Sequence, residues 1–365
     1  MLLARHGLDV LLVDRARLPS EIRHGHFIHR HGPRRLSDWG LLDRVLATGC
    51  PAVTSIVTDL GDFPLEGDDL SVDGIPVGLG PRRRDLDALL VDAAVEAGAE
   101  LRDGYAVRDL VFEDDRAVGV QSDHGTERAR FVVGADGRGS GVARRVQAPV
   151  YEVVPTLTCW YFSYWSGVSG DALEIYDRNR RVVFAFPTND GLFAVFCAWP
   201  IEDLDSVRGE TETAILDALD GCPDLSERVR AGNREERIYG AVQLPNFLRK
   251  PYGPGWTLVG DAGCHKDPYR ALGVCDAFRD AELLAGALAD VVEGTGPEEE
   301  LLAGYERARN DATLPDYQAN IRQAYLEPAP QELLGMRAAV RGNPEATKRL
   351  YLTMEGLIEP GPPPA

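Results

Sequence analysis

Apolar positions along the chain follow two rhythms. In the first, three or four apolar residues run together and stop at an acid or a glycine. Val10, Leu11, Leu12 and Val13 stop at Asp14, and Thr257, Leu258 and Val259 stop at Gly260-Asp261. Such short runs predict buried strands. In the second, apolar residues return every three or four positions, the spacing of a helix buried along one face. Val274, Ala277, Phe278, Ala281, Leu284, Ala285 and Leu288 keep that spacing, as do Leu86, Leu89, Leu90, Ala93, Ala94 and Ala97. Leu36, Trp39, Leu42 and Val45 predict a further helix over 33–46.

Between these elements the pattern turns to strands. Residues 59–80 read as a β excursion with turns at Gly61-Asp62, Gly67-Asp68 and Asp73-Gly74. Three alternating strands are expected at 107–112, 117–122 and 129–133. Aromatic and β-branched residues then mark strands at 156–165, 172–176, 181–187 and 192–199, followed by a helix at 211–219. Residues 305–325 and 331–357 read as surface helices forming a C-terminal cap or subunit contact. The proline-containing end, 359–365, reads as frayed.

The stretch WTLVGDAGCHKDPYRALGVCDAFRDAELLA, 256–285, organises the rest. A strand ends at an acid, a loop with Pro268 follows, and Gly273 precedes a helix. Helix-start amides suit an electron-rich ligand edge and a carboxylate suits sugar-type hydroxyls. Upstream lies a second motif, Gly134-Ala135-Asp136-Gly137, with Ser140 and Arg144 close behind. With these residues the chain resembles the flavoprotein monooxygenases built like p-hydroxybenzoate hydroxylase, with their relatives the geranylgeranyl reductases and flavin-dependent halogenases.

The resemblance implies roles for particular residues. Gly260 and Asp261 would hold the ribityl chain, and Pro268, Gly273 and Val274 would bring backbone amides to the flavin N1/C2 edge. Arg83 would reach the flavin phosphate or ribityl region, Val107 the adenine through its backbone, and Asp136 the pyrophosphate region. Asp14, ending the second strand of a dinucleotide-binding unit, would bond the adenosine ribose. In such a unit the glycine-rich phosphate turn lies ~20 residues earlier, which places it before Met1. Either the sequence begins at an internal methionine of a longer protein, the preferred reading, or it is a truncation with weakened flavin binding. One of Arg23, His26 or His29 would touch the cofactor. His265 and Lys266, with Asp267, are the candidates for proton handling. Trp160, Phe162, Tyr164, Phe184, Phe186 and Phe196 would line a substrate pocket, although aromatic stripes in a sheet more often pack a core.

Composition narrows the classes. The 365 residues carry a formal charge of −19, which argues against nucleic acid or an anionic membrane as partner. Six cysteines lie scattered without a C-x-x-C pair, fitting reduced thiols in the cytoplasm. His24, His26, His29 and His31 match no common zinc spacing, so no metal is expected. No run reaches the length of a membrane span.

The expected fold is α/β: a Rossmann-like FAD-binding domain, its first strand and phosphate loop missing, with an inserted β-sheet substrate domain and C-terminal helices. The FAD-binding domain would take 1–58, 81–149 and 253–325, with 59–80 reaching toward a substrate domain at 150–252 and a C-terminal helix and tail at 326–365. The function implied is that of an FAD-dependent oxidoreductase, a monooxygenase reduced by NADPH or NADH and acting with oxygen on a small aromatic or polycyclic substrate. The alternatives are a reductase or dehydrogenase on the same scaffold, or a truncated chain without activity. Oligomeric state is left open.

Overall fold

The strand run before Asp14 becomes Leu11–Val13 and pairs in parallel with Glu100–Arg102. A computed structural model describes residues 1–20, 25–178 and 180–359. Arg23 and His24 lie outside them. A second parallel pair joins Val132–Gly134 to Trp256–Leu258, with Tyr252–Gly253 added antiparallel at the edge. Among the described residues these two parallel groups share no ladder hydrogen bonds. The helix Gly273–Glu293 runs past both, touching the short N-terminal helix Leu2–Arg5. Its inner face buries Phe278, Leu284, Ala285 and Leu288, the apolar stripe read from the sequence.

The large sheet has eight strands. Its centre is Thr158–Ser166, Phe193–Pro200, Arg181–Pro187 and Leu173–Arg178, and Ile56–Asp59 joins it in parallel. Thr158–Ser166 and Phe193–Pro200 are buried on both faces almost throughout, because helices cover one side and the C-terminal segment the other. Tyr161, Trp165 and Trp199 pack against helices Thr211–Asp220 and Pro223–Ala231. Phe162, Tyr164, Phe186 and Phe196 pack with Leu326, Val340, Tyr351 and Leu352.

Three expectations are corrected. The helix over 33–46 is two helices, His31–Asp38 and Leu42–Ala47, because Gly40 turns the chain at φ +73°. The strand at 129–133 is also two elements. Gly125–Arg128 completes an antiparallel meander with Val107–Glu113 and Arg116–Ser122, whereas Val132–Gly134 crosses to the parallel group.

The third correction matters most. The helix Glu298–Ala324 is not a surface helix, since it buries Tyr305, Arg309, Thr313, Tyr317 and Asn320. A polar stripe resembles a solvated face, and here each of its members finds a partner inside the protein. The C-terminal region beyond it is two helices, Gln331–Val340 and Pro344–Met354. Buried Arg337 ties it to Asp62 and the Thr58 carbonyl, and buried Tyr351 to the Leu65 carbonyl.

Candidate active site

The two motifs meet at one end of the parallel strands. Gly134 pairs with Leu258, and the Val259 amide donates to the Gly134 carbonyl at 3.0 Å. The loops bearing Asp136 and Asp261 therefore leave adjacent strands at their carboxyl ends, where open α/β sheets bind ligands. Asp136 caps its own short helix, accepting from the Gly141 amide at 2.7 Å and Val142 at 3.2 Å. Asp261 differs. It is half-buried, and its carboxylate has no hydrogen-bond donor among the described residues. Gly260 before it adopts φ +59°, and a side chain there would press on Ala277 at 3.3 Å.

The loop then runs inward. His265 is buried, and its Nδ1 lies 2.5 Å from the Pro245 carbonyl, so that nitrogen donates. Burial pushes its pKa down despite the nearby Asp261 charge, leaving a neutral ring whose Nε2 accepts. Lys266 Nζ is 2.5 Å from Asp276 Oδ2, at an angle poor for a hydrogen bond, so the contact is an ion pair. Asp267 is buried with every polar group engaged. Its amide donates to Asn246, its carbonyl accepts from Asn320, and its carboxylate accepts from Thr158 and the Tyr269 amide. These bonds make it a structural hub. Burial raises its pKa to about 6.

Pro268 opens a single 3-10 turn, Pro268–Arg270, and the helix starts at Gly273. No side chain caps that start. Gly273 is exposed, and a side chain there would meet nothing within 4 Å. The amides of Gly273 and Val274 thus have no hydrogen-bond partner among the described residues, and the turn that bears the unbonded Asp261 carboxylate packs against the same helix at Ala277.

The remaining predicted residues spread out. Asp14 is exposed at its strand end and accepts from the Ala16 amide at 2.7 Å. Val107 begins the meander and pairs with Ser122. Arg83 makes two bonds to Asp87 one turn on, at 2.9 and 3.0 Å. The adjacent Arg82 turns inward instead, stacking 3.9 Å over Tyr164 and pairing with Glu236 at 2.5 Å. His26 is buried against Tyr164 and Phe186, and burial, aided by Arg82, lowers its pKa to about 3. His29 lies behind the helix start, where its carbonyl accepts from Cys275 Sγ at 3.1 Å.

Two kinds of residue were missed. Tyr105, whose amide donates to the Asp14 carbonyl at 2.8 Å, stacks on His124 and buries a hydroxyl that has no partner among the described residues. The other is the polar stripe of the Glu298–Ala324 helix. Tyr305 donates to the Leu258 carbonyl at 2.9 Å, and fully buried Arg309 to the Gly263 and Arg249 carbonyls at 3.2 and 2.8 Å. Asn320 spans the turn, donating to the Asp267 carbonyl and accepting from the Arg270 amide. Their spacing of mostly four residues was the available signal.

A carboxylate, unbonded helix-start amides and a tight glycine approach meet at the ends of parallel strands, where open α/β sheets bind ligands. Residues 1–314 match the family described as FAD binding domain, and the chain belongs to that family of flavin-dependent oxidoreductases. It is 30% identical over 228 residues to the digeranylgeranylglycerophospholipid reductase of Methanosarcina mazei, a match covering 60% of this chain and 54% of the relative. It is 28% identical over 267 residues to the kynurenine 3-monooxygenase of Xanthomonas campestris, covering 67% of this chain and 56% of the relative. The chain thus spans little more than half the length of these two relatives. The fold is similar to that of the flavin-dependent brominase Bmp2, with a TM-score of 0.81 at 20% identity over 97% of this chain and 89% of that one. Among the described residues no helix is long and apolar enough to cross a membrane, and no cluster of three or more His, Cys, Asp or Glu side chains suits a metal ion.

Proposed function

We propose that this protein is an FAD-dependent monooxygenase, reduced by NADPH or NADH, that uses oxygen on a small aromatic or polycyclic substrate. The observation that carries the reading is the free Asp261 carboxylate on a turn packed against the uncapped Gly273–Glu293 helix. The residues present fit the ring and ribityl part of FAD. Gly273 leaves open space for a ring edge, and the left-handed φ of +59° with the close approach to Ala277 favours glycine at position 260. At the nucleotide end, exposed Asp14 offers an acceptor for a ribose.

FAD, when bound, supplies two-electron redox chemistry and the reaction with oxygen. The chain's own residues supply the setting. Asp261 accepts hydrogen bonds from ribityl hydroxyls. The amides of Gly273 and Val274, at the positive end of a 21-residue helix, favour negative charge at the ring edge. Neutral His265 can hold a proton at Nε2. Lys266, fixed on Asp276, contributes charge to the loop rather than a mobile proton. Arg83 serves its helix through Asp87, so it contributes little to cofactor binding.

The test is a titration with FAD followed by turnover under isotopically labelled dioxygen. Asp261→Ala is expected to weaken FAD binding about tenfold or more, the cost of ~1.4 kcal/mol or above. Arg83→Ala should leave it within about twofold. Label in the product supports oxygen insertion. Its absence, with substrate reduced, favours the second reading, a reductase, for which the likeness to the archaeal lipid reductase speaks. Equal retention of FAD by both variants would show that the ribityl contact is misplaced.

A further inference from the structure

The bonding of one buried histidine fixes its charge. His29 Nδ1 lies 2.7 Å from Glu355 Oε2, and Nε2 lies 3.0 Å from the Arg270 carbonyl. A carbonyl and an ionised carboxylate only accept hydrogen bonds, so both ring nitrogens must carry hydrogen. Glu355 is ionised. Burial alone would raise its pKa, but His29, Arg30 and Arg270 together hold it below the ordinary glutamate range. His29 is therefore an imidazolium whose counter-ion comes from the end of the C-terminal segment, 326 residues away in sequence.

The far side of that imidazolium grips a strained turn. Arg270 is held at three points: its amide by Asn320, its carbonyl by His29 and its guanidinium by Asp316. The next residue, Ala271, sits in the left-handed region at φ +49°, ψ +30°. A residue with a Cβ enters that region at a cost of about 1 kcal/mol. Two residues later the helix begins with the free amides of Gly273 and Val274.

We propose that His29, kept charged by Glu355, is the positioning residue for these amides: by gripping the Arg270 carbonyl it holds Ala271 in its left-handed turn and keeps the helix start aimed at the flavin. The inference rests on the flavin reading above. It makes the C-terminal segment part of the cofactor site, although that segment lies beyond the matched family region. Glu355 from the C-terminal segment and the Arg270 carbonyl from the loop bond the His29 ring, Cys275 from the Gly273–Glu293 helix bonds its backbone carbonyl, and Asp316 from the Glu298–Ala324 helix pairs with Arg30 and Arg270. Arg30 and His31 flank His29 on its own stretch.

The clasp needs both ring N–H groups. A neutral imidazole has one N–H, so one nitrogen's lone pair would face an acceptor oxygen. Its carboxylate leg is lost at the acid end, as pH falls through the lowered value of Glu355.

The experiment follows two readouts on the full chain at one pH. Hydrogen exchange at residues 270–275 and 352–358 is measured without added FAD, and FAD affinity is measured by fluorescence titration. His29→Ala should lose protection at both segments together relative to wild type, with FAD Kd increasing about tenfold. Glu355→Gln should stay within about twofold of wild type in both readouts, because its amide N–H can donate to a neutral Nδ1 while Nε2–H still serves Arg270. Adding Ala271→Gly, which takes φ > 0 without strain, to His29→Ala should restore FAD affinity but leave the exchange at 352–358 as in His29→Ala. Unchanged exchange in His29→Ala, a loss in Glu355→Gln as large as in His29→Ala, or no recovery of FAD affinity in the double variant would each overturn the proposal. Wild type that binds no FAD would instead overturn the flavin reading and the positioning role with it, while exchange would still decide whether the clasp exists.

Discussion

Two neighbouring helices, Gly273–Glu293 and Glu298–Ala324, pack along one another and bury opposite kinds of side chain. The first buries Phe278, Leu284, Ala285 and Leu288; Leu284 and Leu288 cluster with Tyr252 and Leu302, and Phe278 packs on Trp39 in ordinary apolar packing. The second buries Tyr305, Arg309, Thr313, Tyr317 and Asn320. Apolar burial is non-directional and holds a helix in place. Polar burial costs free energy unless each group is bonded, so it holds the partner in place as well. For Tyr305, Arg309 and Asn320 the partners are the carbonyls of Leu258, Gly263, Arg249 and Asp267, in or beside the loop that carries Asp261, while Tyr317 donates to the Glu152 carbonyl and Thr313 accepts from Arg279. The apolar face of the first helix stabilises the fold, and the polar face of the second holds the loop that carries Asp261.

The sharpest way to break that contrast is Arg309→Met. Methionine keeps much of the stem's volume but removes one donor from each of two buried carbonyls, the Tyr151 hydroxyl and Asn310. We expect a loss of about 4 kcal/mol in urea unfolding, together with weaker FAD binding. Leu284→Ala, in the apolar helix, should cost about 3 kcal/mol through its cavity and leave FAD affinity near wild type in whatever fraction is folded. If Arg309→Met cost less than Leu284→Ala, or left FAD binding untouched, the polar stripe would be no more than packing.

The same contrast explains what the sequence reveals. The Gly273–Glu293 helix was legible because its apolar spacing has one interpretation. Asp261 and Asp136 were legible as motif positions at strand ends, and the parallel pairing of Val132–Gly134 with Trp256–Leu258 brings their loops side by side. Arg309 and Asn320 were not legible, because a buried polar residue and a solvated one look alike until their partners are known. Those partners are backbone groups, which carry no residue signature. Arg82 and Arg83 show a related limit. They are adjacent in a run of three arginines, and only the chain's path decides which turns onto Tyr164 and which stays with Asp87. The aromatic residues of the large sheet were read both as pocket and as core, and they pack with the C-terminal segment as core.

Asp267 is where the contrast is finest, since polar helix, loop and large sheet all meet on one carboxylate-bearing residue. Thr158 donates to it at 2.5 Å and itself accepts from the Trp160 indole at 2.7 Å, linking the aromatic sheet to the loop that carries Asp261. Burial lifts its pKa from 3.8 to about 6, and the hydrogen bonds only partly offset this. The folded chain therefore keeps this proton to higher pH than the unfolded chain does. Stability from this group is fully present below the unfolded value and is lost as pH rises through about 6. Asparagine at this position keeps an acceptor and has no such titration. Measured by urea unfolding from about pH 4.5 to 7.5, a range bracketing that loss, the stability of wild type relative to Asp267→Asn should fall by about 2 kcal/mol with rising pH. Other carboxylates cancel in the difference. A difference that stays constant would mean that Asp267 ionises as freely in the folded chain as outside it, and the hub would then be a solvated turn rather than the buried junction between sheet and loop.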